Sequence, residues 1–132
     1  MKLITRSTDY AIRALAYMAG RKDEVISAAE LVKALRMPRP FLRRILQKSA
    51  RAGLIKSYRG SGGGFKLSRT PSSIYVSHVA AAFQGSFNFN ECSFVGAICP
   101  NIKKCPLKKK IDAIGRRVKS EISSISLSDL LM

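Results

Sequence analysis

The segment MPRPFLRRILQKSARAGLIKSYRGSGGGFKLSR, residues 37–69, constrains the fold more than any other stretch of the chain. Pro38 and Pro40 forbid continuation of any helix arriving from upstream. After them Leu42, Ile45, Leu46 and Ala50 set up a buried helical stripe that closes at Gly53. The opposite side of this helix carries Arg39, Arg43, Arg44, Gln47, Lys48 and Arg51. Directly downstream, β-favouring residues flank Gly60, Gly62, Gly63 and Gly64, which predicts a hairpin with a close-approaching tip. A basic helix followed at once by a basic hairpin leaves few architectures open.

Two further helices precede it. Over residues 5–20, Ile12, Leu15, Ala16 and Ala19 follow helical spacing, with Arg6, Asp9 and Arg13 on the other face. Ser27, three residues before Glu30, forms the pattern of a capping box at the head of a short second helix that runs to about Arg36. Two short helices joined by a tight turn, the second densely basic, meet the requirement of a helix-turn-helix. A helix in the major groove needs donors for guanine edges and cations for phosphates. The hairpin then reads as a wing, with Arg59 able to enter a minor groove and glycine N–H groups such as those of Gly62 and Gly63 able to approach phosphate. A solvated basic face is the competing reading of the helix alone. A nucleotide-binding glycine loop is disfavoured, because GSGGG lacks both a following Lys-Ser/Thr pair and a βαβ setting.

Charge agrees with this reading. Against 24 Lys and Arg stand 8 Asp and Glu, a formal charge of +16 on 132 residues. With 46% apolar residues the chain is a folded basic domain rather than a disordered tail, and such a domain suggests a polyanion partner, either nucleic acid or an anionic membrane surface. Arg6, Asp9 and Arg13 interrupt the N-terminal apolar residues, so no signal peptide or membrane span is expected and the protein reads as cytoplasmic. One histidine and few carboxylates leave no acid-base constellation for an enzyme.

Residues 72–84 predict a fourth helix with Val76, Val79, Ala80 and Phe83 on one face and Gly85 at its end. His78, the single histidine, reads there as a partly buried packing residue. Beyond residue 106, Leu107, Ile111, Ile114, Val118, Ile122 and Ile125 approximate a heptad seam on a long helix with one sticky edge. A chain this small has little core to cover that edge, so a homodimer is expected, with two symmetric recognition helices for a palindromic site. The expected division is a winged helix-turn-helix domain at 1–85, a cysteine loop at 86–106, and a dimerisation helix and tail at 107–132. The fold class is mainly α with a small β-wing.

All three cysteines, Cys92, Cys99 and Cys105, fall in that loop, separated by six and then five residues. An odd set of thiols in a reducing compartment points to metal binding or redox sensing rather than a disulfide framework. No C-x2-C pair of a zinc ribbon is present, and the tight ferredoxin run is also absent.

The opening TDYAIRAL, the helix-and-wing segment FLRRILQKSARAGLIKSYRGSGGGFKLSR, the three-cysteine loop and the ending SSISLSDL together resemble the Rrf-two-type winged helix-turn-helix transcriptional regulators, the IscR/NsrR-like family. The resemblance covers nearly the whole chain. It implies a homodimeric transcription factor on double-stranded DNA, its C-terminal helix crossing to the partner subunit. It also implies an iron-sulfur cluster, 2Fe-2S or 4Fe-4S, ligated by Cys92, Cys99 and Cys105. Some members add a histidine shortly after the third cysteine, where this chain has Lys108, a poor ligand when protonated. Others use a carboxylate from the first helix of the opposite subunit, which makes Asp9 the leading candidate. The competing reading of Asp9 is an ion pair with Arg13, and solvent or a small molecule is the remaining option for the fourth iron ligand. Base reading is implied for the segment matching Pro40, Phe41, Arg43 and Arg44, with Arg59 as the wing arginine. A cluster-free regulator of the same fold, using thiol oxidation or a protein partner as its signal, is the alternative.

Overall fold

The hydrophobic residues are divided among short helices that close around one core, and a two-stranded hairpin projects beside them. The computed structural model describes residues 3–21, 23–85, 87 and 103–131. In chain order the elements are α1 (Arg6–Ala19), α2 (Ala28–Leu35), α3 (Arg39–Arg51), β1 (Ile55–Tyr58), β2 (Gly64–Leu67), a 3-10 turn (Pro71–Ser73), α4 (Val76–Phe83), α5 (Pro106–Ser123) and a last 3-10 turn (Leu127–Leu130). The mainly α class with a small β-wing is what the sequence predicts.

Helix α1 begins where Thr5 Oγ1 accepts from the Thr8 N–H at 3.3 Å. Its buried side is broader than the predicted stripe: Thr8, Ala11, Ala14, Leu15, Ala16, Met18 and Ala19 are all buried, whereas Ile12 is only half-buried. Small side chains allow this, because alanines let neighbouring helices pack close without filling volume of their own. Thr8 is tolerated there because its hydroxyl pairs with that of Thr5 at 2.9 Å.

Helix α2 starts at Ser27, whose hydroxyl accepts from the Glu30 N–H at 3.1 Å. Only that half of the predicted capping box is made. The Glu30 carboxylate instead accepts from Tyr17 Oη at 2.8 Å and pairs with Arg21 at 3.5 Å, tying α1 to α2. Arg36 in the left-handed region (φ 51°) ends the helix and turns the chain into α3. In α3 Leu42, Ile45, Leu46 and Ser49 are buried, while Ala50, at the edge of the predicted stripe, is half-buried. The fourth helix starts later than predicted, at Val76, because Pro71–Ser73 form a separate 3-10 turn. There His78 is exposed rather than packed, and its Nδ1 accepts from the Tyr75 N–H at 3.2 Å, capping α4.

The hairpin is antiparallel, with Ile55 opposite Leu67 and Tyr58 opposite Gly64. Ile26 adds a bridge to Phe65, exchanging two backbone hydrogen bonds of 2.8 Å, so the wing is sewn to the segment between α1 and α2. At the other end of the chain a second bridge joins Ser126 to Tyr75. It draws Leu127 into the core with Leu15, Leu42, Leu46, Ile74 and Val79.

Candidate nucleic-acid interface and cysteine segment

The exposed side of α3 and the near face of the wing enclose a cleft of about 970 Å³, lined by Arg39, Pro40, Arg43, Gln47, Arg51, Ser57, Arg59 and Phe65 among others. Arg39, Arg43, Gln47 and Arg51 recur every fourth residue, which stacks them on one helix face. All four are exposed, and among the described residues no carboxylate pairs with the three arginines. The groove is therefore a strip of donors and positive charge framed by backbone. Arg51, already on the predicted basic face, lines the cleft, and Ser57 extends the predicted set. The four-residue period beginning at Arg39 is a signal that includes Arg51, while Ser57 becomes visible only once the strand register places it.

The remaining predicted residues of α3 do not join this cleft. Arg44 and Lys48 lie on the flank facing α4, where they border a second hollow with Ala52 and Ala82. The Lys48 ammonium stands 5.2 Å from the centroid of the Phe83 ring, a cation–π contact. Phe41 turns inward, half-buried, and meets Tyr10 edge-on with centroids 5.2 Å apart. It sets the position of the α3 N-terminus on α1.

At the wing, Arg59 follows the last residue of β1 and is exposed in the loop between the strands. Gly60 and Gly62 adopt positive φ, 91° and 75°. Gly63 donates its N–H to Gly60 O at 3.0 Å, so that group closes the turn instead of facing outward. A Cβ at Gly63 would stand 2.5 Å from Tyr58 O. The tip thus needs glycine for backbone reasons before any ligand is considered.

Of the three cysteines, Cys105 is described, and Cys92 and Cys99 lie outside the described residues. Cys105 is half-buried at the N-cap of α5, with Pro106 in the first turn. Lys108, at the position where some relatives of this type carry histidine, pairs with Asp112 at 2.6 Å. The ion pair open to Asp9 is made: Arg13 Nε donates to Asp9 Oδ2 at 3.0 Å, both side chains about half exposed. Asp9 also borders a mainly apolar cleft of about 560 Å³ with Leu3, Ile12, Val76, Ile122 and Ile125. Ile122 belongs to the far end of α5 and Ile125 follows just beyond it, and an 18-residue helix is about 27 Å long. Within one chain Asp9 and Cys105 are accordingly at opposite ends of α5.

The sequence pattern of Rrf2, described as an iron-dependent transcriptional regulator, matches residues 4–132. The chain belongs to the Rrf2 family. Among curated relatives, Protein aau3 of Rhizobium meliloti (strain 1021) is 36% identical over 105 residues, covering 79% of this chain and 68% of that protein. The HTH-type transcriptional regulator IscR of Cereibacter sphaeroides is 38% identical over 91 residues, 67% of this chain and 58% of that protein. Among solved structures, CymR, the global cysteine regulator of B. subtilis, superposes with a TM-score of 0.81 at 21% identity, covering 98% of this chain and 96% of that one. The Rrf2 fold is a winged helix-turn-helix, so the protein is a DNA-binding transcriptional regulator, in a family of regulators rather than enzymes. No helix among the described residues is long and apolar enough to cross a membrane.

Proposed function

We propose that this Rrf2 regulator acts as a homodimer on a palindromic operator and that an iron-sulfur cluster, 2Fe-2S or 4Fe-4S, governs its hold on DNA. The observation that carries this reading is the place of Cys105. The third thiol of the cysteine segment stands at the joint where the winged domain ends and α5 begins. Residues 1–85 form the DNA-binding head, 86–106 the cluster-binding segment, and 107–132 the dimerisation helix and tail.

The donor set fits such a cluster, since thiolates of Cys92, Cys99 and Cys105 are the soft ligands that its iron sites take. When bound, the cluster supplies a centre responsive to redox state, nitric oxide and iron-sulfur supply. The fourth site falls to Asp9 of a second copy. The length of α5 keeps each chain's own Asp9 away from Cys105, and Lys108 is engaged with Asp112. Dimerisation is supported by α5, where Leu107, Ile111 and Ile114 are exposed along one edge.

On DNA, Arg39, Pro40, Arg43 and Gln47 face the major groove from α3, with Phe41 seating the helix. Arg44 and Lys48 meet backbone phosphate on the flank, and Arg59, Gly62 and Gly63 follow the adjacent minor groove. Arg43 presents donors, so guanine is the base it selects.

The test is anaerobic isolation, visible and Mössbauer spectroscopy, and DNA titration before and after cluster destruction, repeated with all three cysteines replaced by serine. Cluster spectra together with an operator affinity that changes on cluster loss support the reading. A colourless, iron-free protein that binds operator as well as its serine variant overturns it and leaves the cluster-free regulator.

A further inference from the structure

The cations of α5 have no part in the groove described above. Residues 103–123 hold eight Lys and Arg against two acids. Among the described residues, the one ion pair on this stretch joins Lys108 to Asp112. The others are mostly grouped in adjacent couples, Lys103 with Lys104, Lys109 with Lys110 and Arg116 with Arg117, all six exposed. The last two couples are seven residues apart, which advances them about 10 Å along the axis and returns them to nearly the same side of the helix. Lys109 and Arg116 lie across the helix from the apolar edge of Leu107, Ile111 and Ile114, while Lys110 and Arg117 flank that edge, three residues from Leu107 and Ile114 respectively.

This placement runs against the helix's own field. The N-terminus of a helix is its positive end, where acids are favoured and cations are not. The first turn of α5 nevertheless holds no acid, and its last turn holds no base. Arg116 and Lys119, three residues apart and both exposed, are like charges one turn apart and repel as well. A freely solvated helix gains nothing from such an arrangement, whereas an anion laid along it offsets both penalties.

We propose that the Lys109, Lys110, Arg116 and Arg117 face of α5 is a second, sequence-independent surface for duplex DNA, engaging phosphates beyond the stretch held by α3 and the wing. Duplex DNA carries about one charge per 1.7 Å of axis, and a row of cations unpaired by acids gains from releasing its condensed counterions. Helix α4 packs against both α3 and α5, so α5 is displaced from the groove and meets flanking backbone rather than bases. A lipid surface fits poorly, because the apolar edge it would need, Leu107, Ile111 and Ile114, is the one given above to the dimer contact. The inference extends the DNA-binding role and does not depend on a cluster.

The test uses the full chain and its K109Q/K110Q/R116Q/R117Q variant, glutamine preserving helix propensity. Binding to random-sequence duplexes of about 20 and about 60 bp is followed by fluorescence anisotropy over a range of salt. On the long duplex the slope of log K against log salt should become shallower by about three to four for each protomer bound, near 0.9 for each lost phosphate contact. Binding to the short duplex should not change, and K109R/K110R should keep the wild-type slope. If the quadruple variant melts early, the K109Q/K110Q and R116Q/R117Q chains decide, each losing about half that slope on the long duplex. Equal losses on both lengths overturn the proposal, as does no loss on either. A wild-type DNA slope in a variant that no longer binds polyglutamate also overturns it, assigning the face to an acidic protein.

Discussion

Arg43 stands on the open side of α3, exposed and without a carboxylate among the described residues to occupy it. A planar guanidinium left free in this way is able to address a base edge with two donors. Arg43→Ala should relax preference at one base pair at a cost of about 1–3 kcal/mol. Arg59→Ala should weaken binding on every sequence alike, and titration against a panel of single-base variants separates the two. Equal losses for both substitutions on all sequences would show that α3 is not the reading helix. Asp129 makes a different prediction. Its carboxylate accepts from the Ser126 N–H at 2.9 Å and the Ser126 hydroxyl at 3.0 Å, which hold its pKa below the ordinary value. A lowered carboxyl contributes stability that is present above the ordinary carboxylate range and is lost as pH falls through the lowered value. The gap in melting temperature between wild type and Asp129→Asn should therefore be full at neutral pH and close in acid. At this scale the exposure of Arg39, Arg43 and Arg59 was legible in the sequence, since a charged residue on a predicted polar face has one direction to point. The inward turn of Phe41 and the stacking of Lys48 on Phe83 were not, because both depend on partners from helices distant in the chain.

Among the elements, the wing shows how backbone geometry restricts residue choice. Gly64 lies against the carbonyl of Ile26, too near to admit any Cβ, and Gly63 is enclosed by Tyr58 and Gly60 carbonyls. Gly63→Ala should displace the hairpin tip and reduce DNA affinity several-fold, with a cost in stability of about 1–3 kcal/mol. Denaturant unfolding together with DNA titration checks both effects, and an unchanged affinity would remove the tip from the interface. Turn chemistry made this element readable: glycines between β-favouring runs predict a hairpin whatever surrounds them. The capping box at Ser27 was half right for an instructive reason. Spacing places Glu30 within reach of the free N–H groups, but Tyr17 and Arg21, brought close by the packing of α1 on α2, compete for the same carboxylate. The Tyr17 hydroxyl has its pKa raised chiefly by this bond to Glu30. Local signals identify a helix start, and tertiary neighbours decide how its side chains are used.

For the molecule as a whole, the exposed edge of α5 sets the expected assembly. Leu107 and Ile114 are 69% and 56% exposed, and with Ile111 they form the apolar edge on which the proposed dimer would close. Ile114→Glu should convert the proposed dimer to a monomer in sedimentation velocity and lower operator affinity about tenfold or more, because two linked half-sites bind together. A variant that sediments as wild type would mean that this edge is not the dimer contact. The heptad-like spacing of the seam was legible from the chain, but the periodicity could not say where along it burial begins. Ile122 is buried and Leu107 is open, since only the far end of α5 returns to the head. Beyond that end, Val76 donates its N–H to Ile125 O at 2.9 Å and Leu127 donates to Ile74 O at 2.8 Å. Leu127 fills a place in the same core as Leu15 on α1. During synthesis on the ribosome, therefore, the head cannot finish folding when its own helices and wing have emerged. It must wait for some forty further residues, so a stalled or truncated product leaves the place of Leu127 in the core empty.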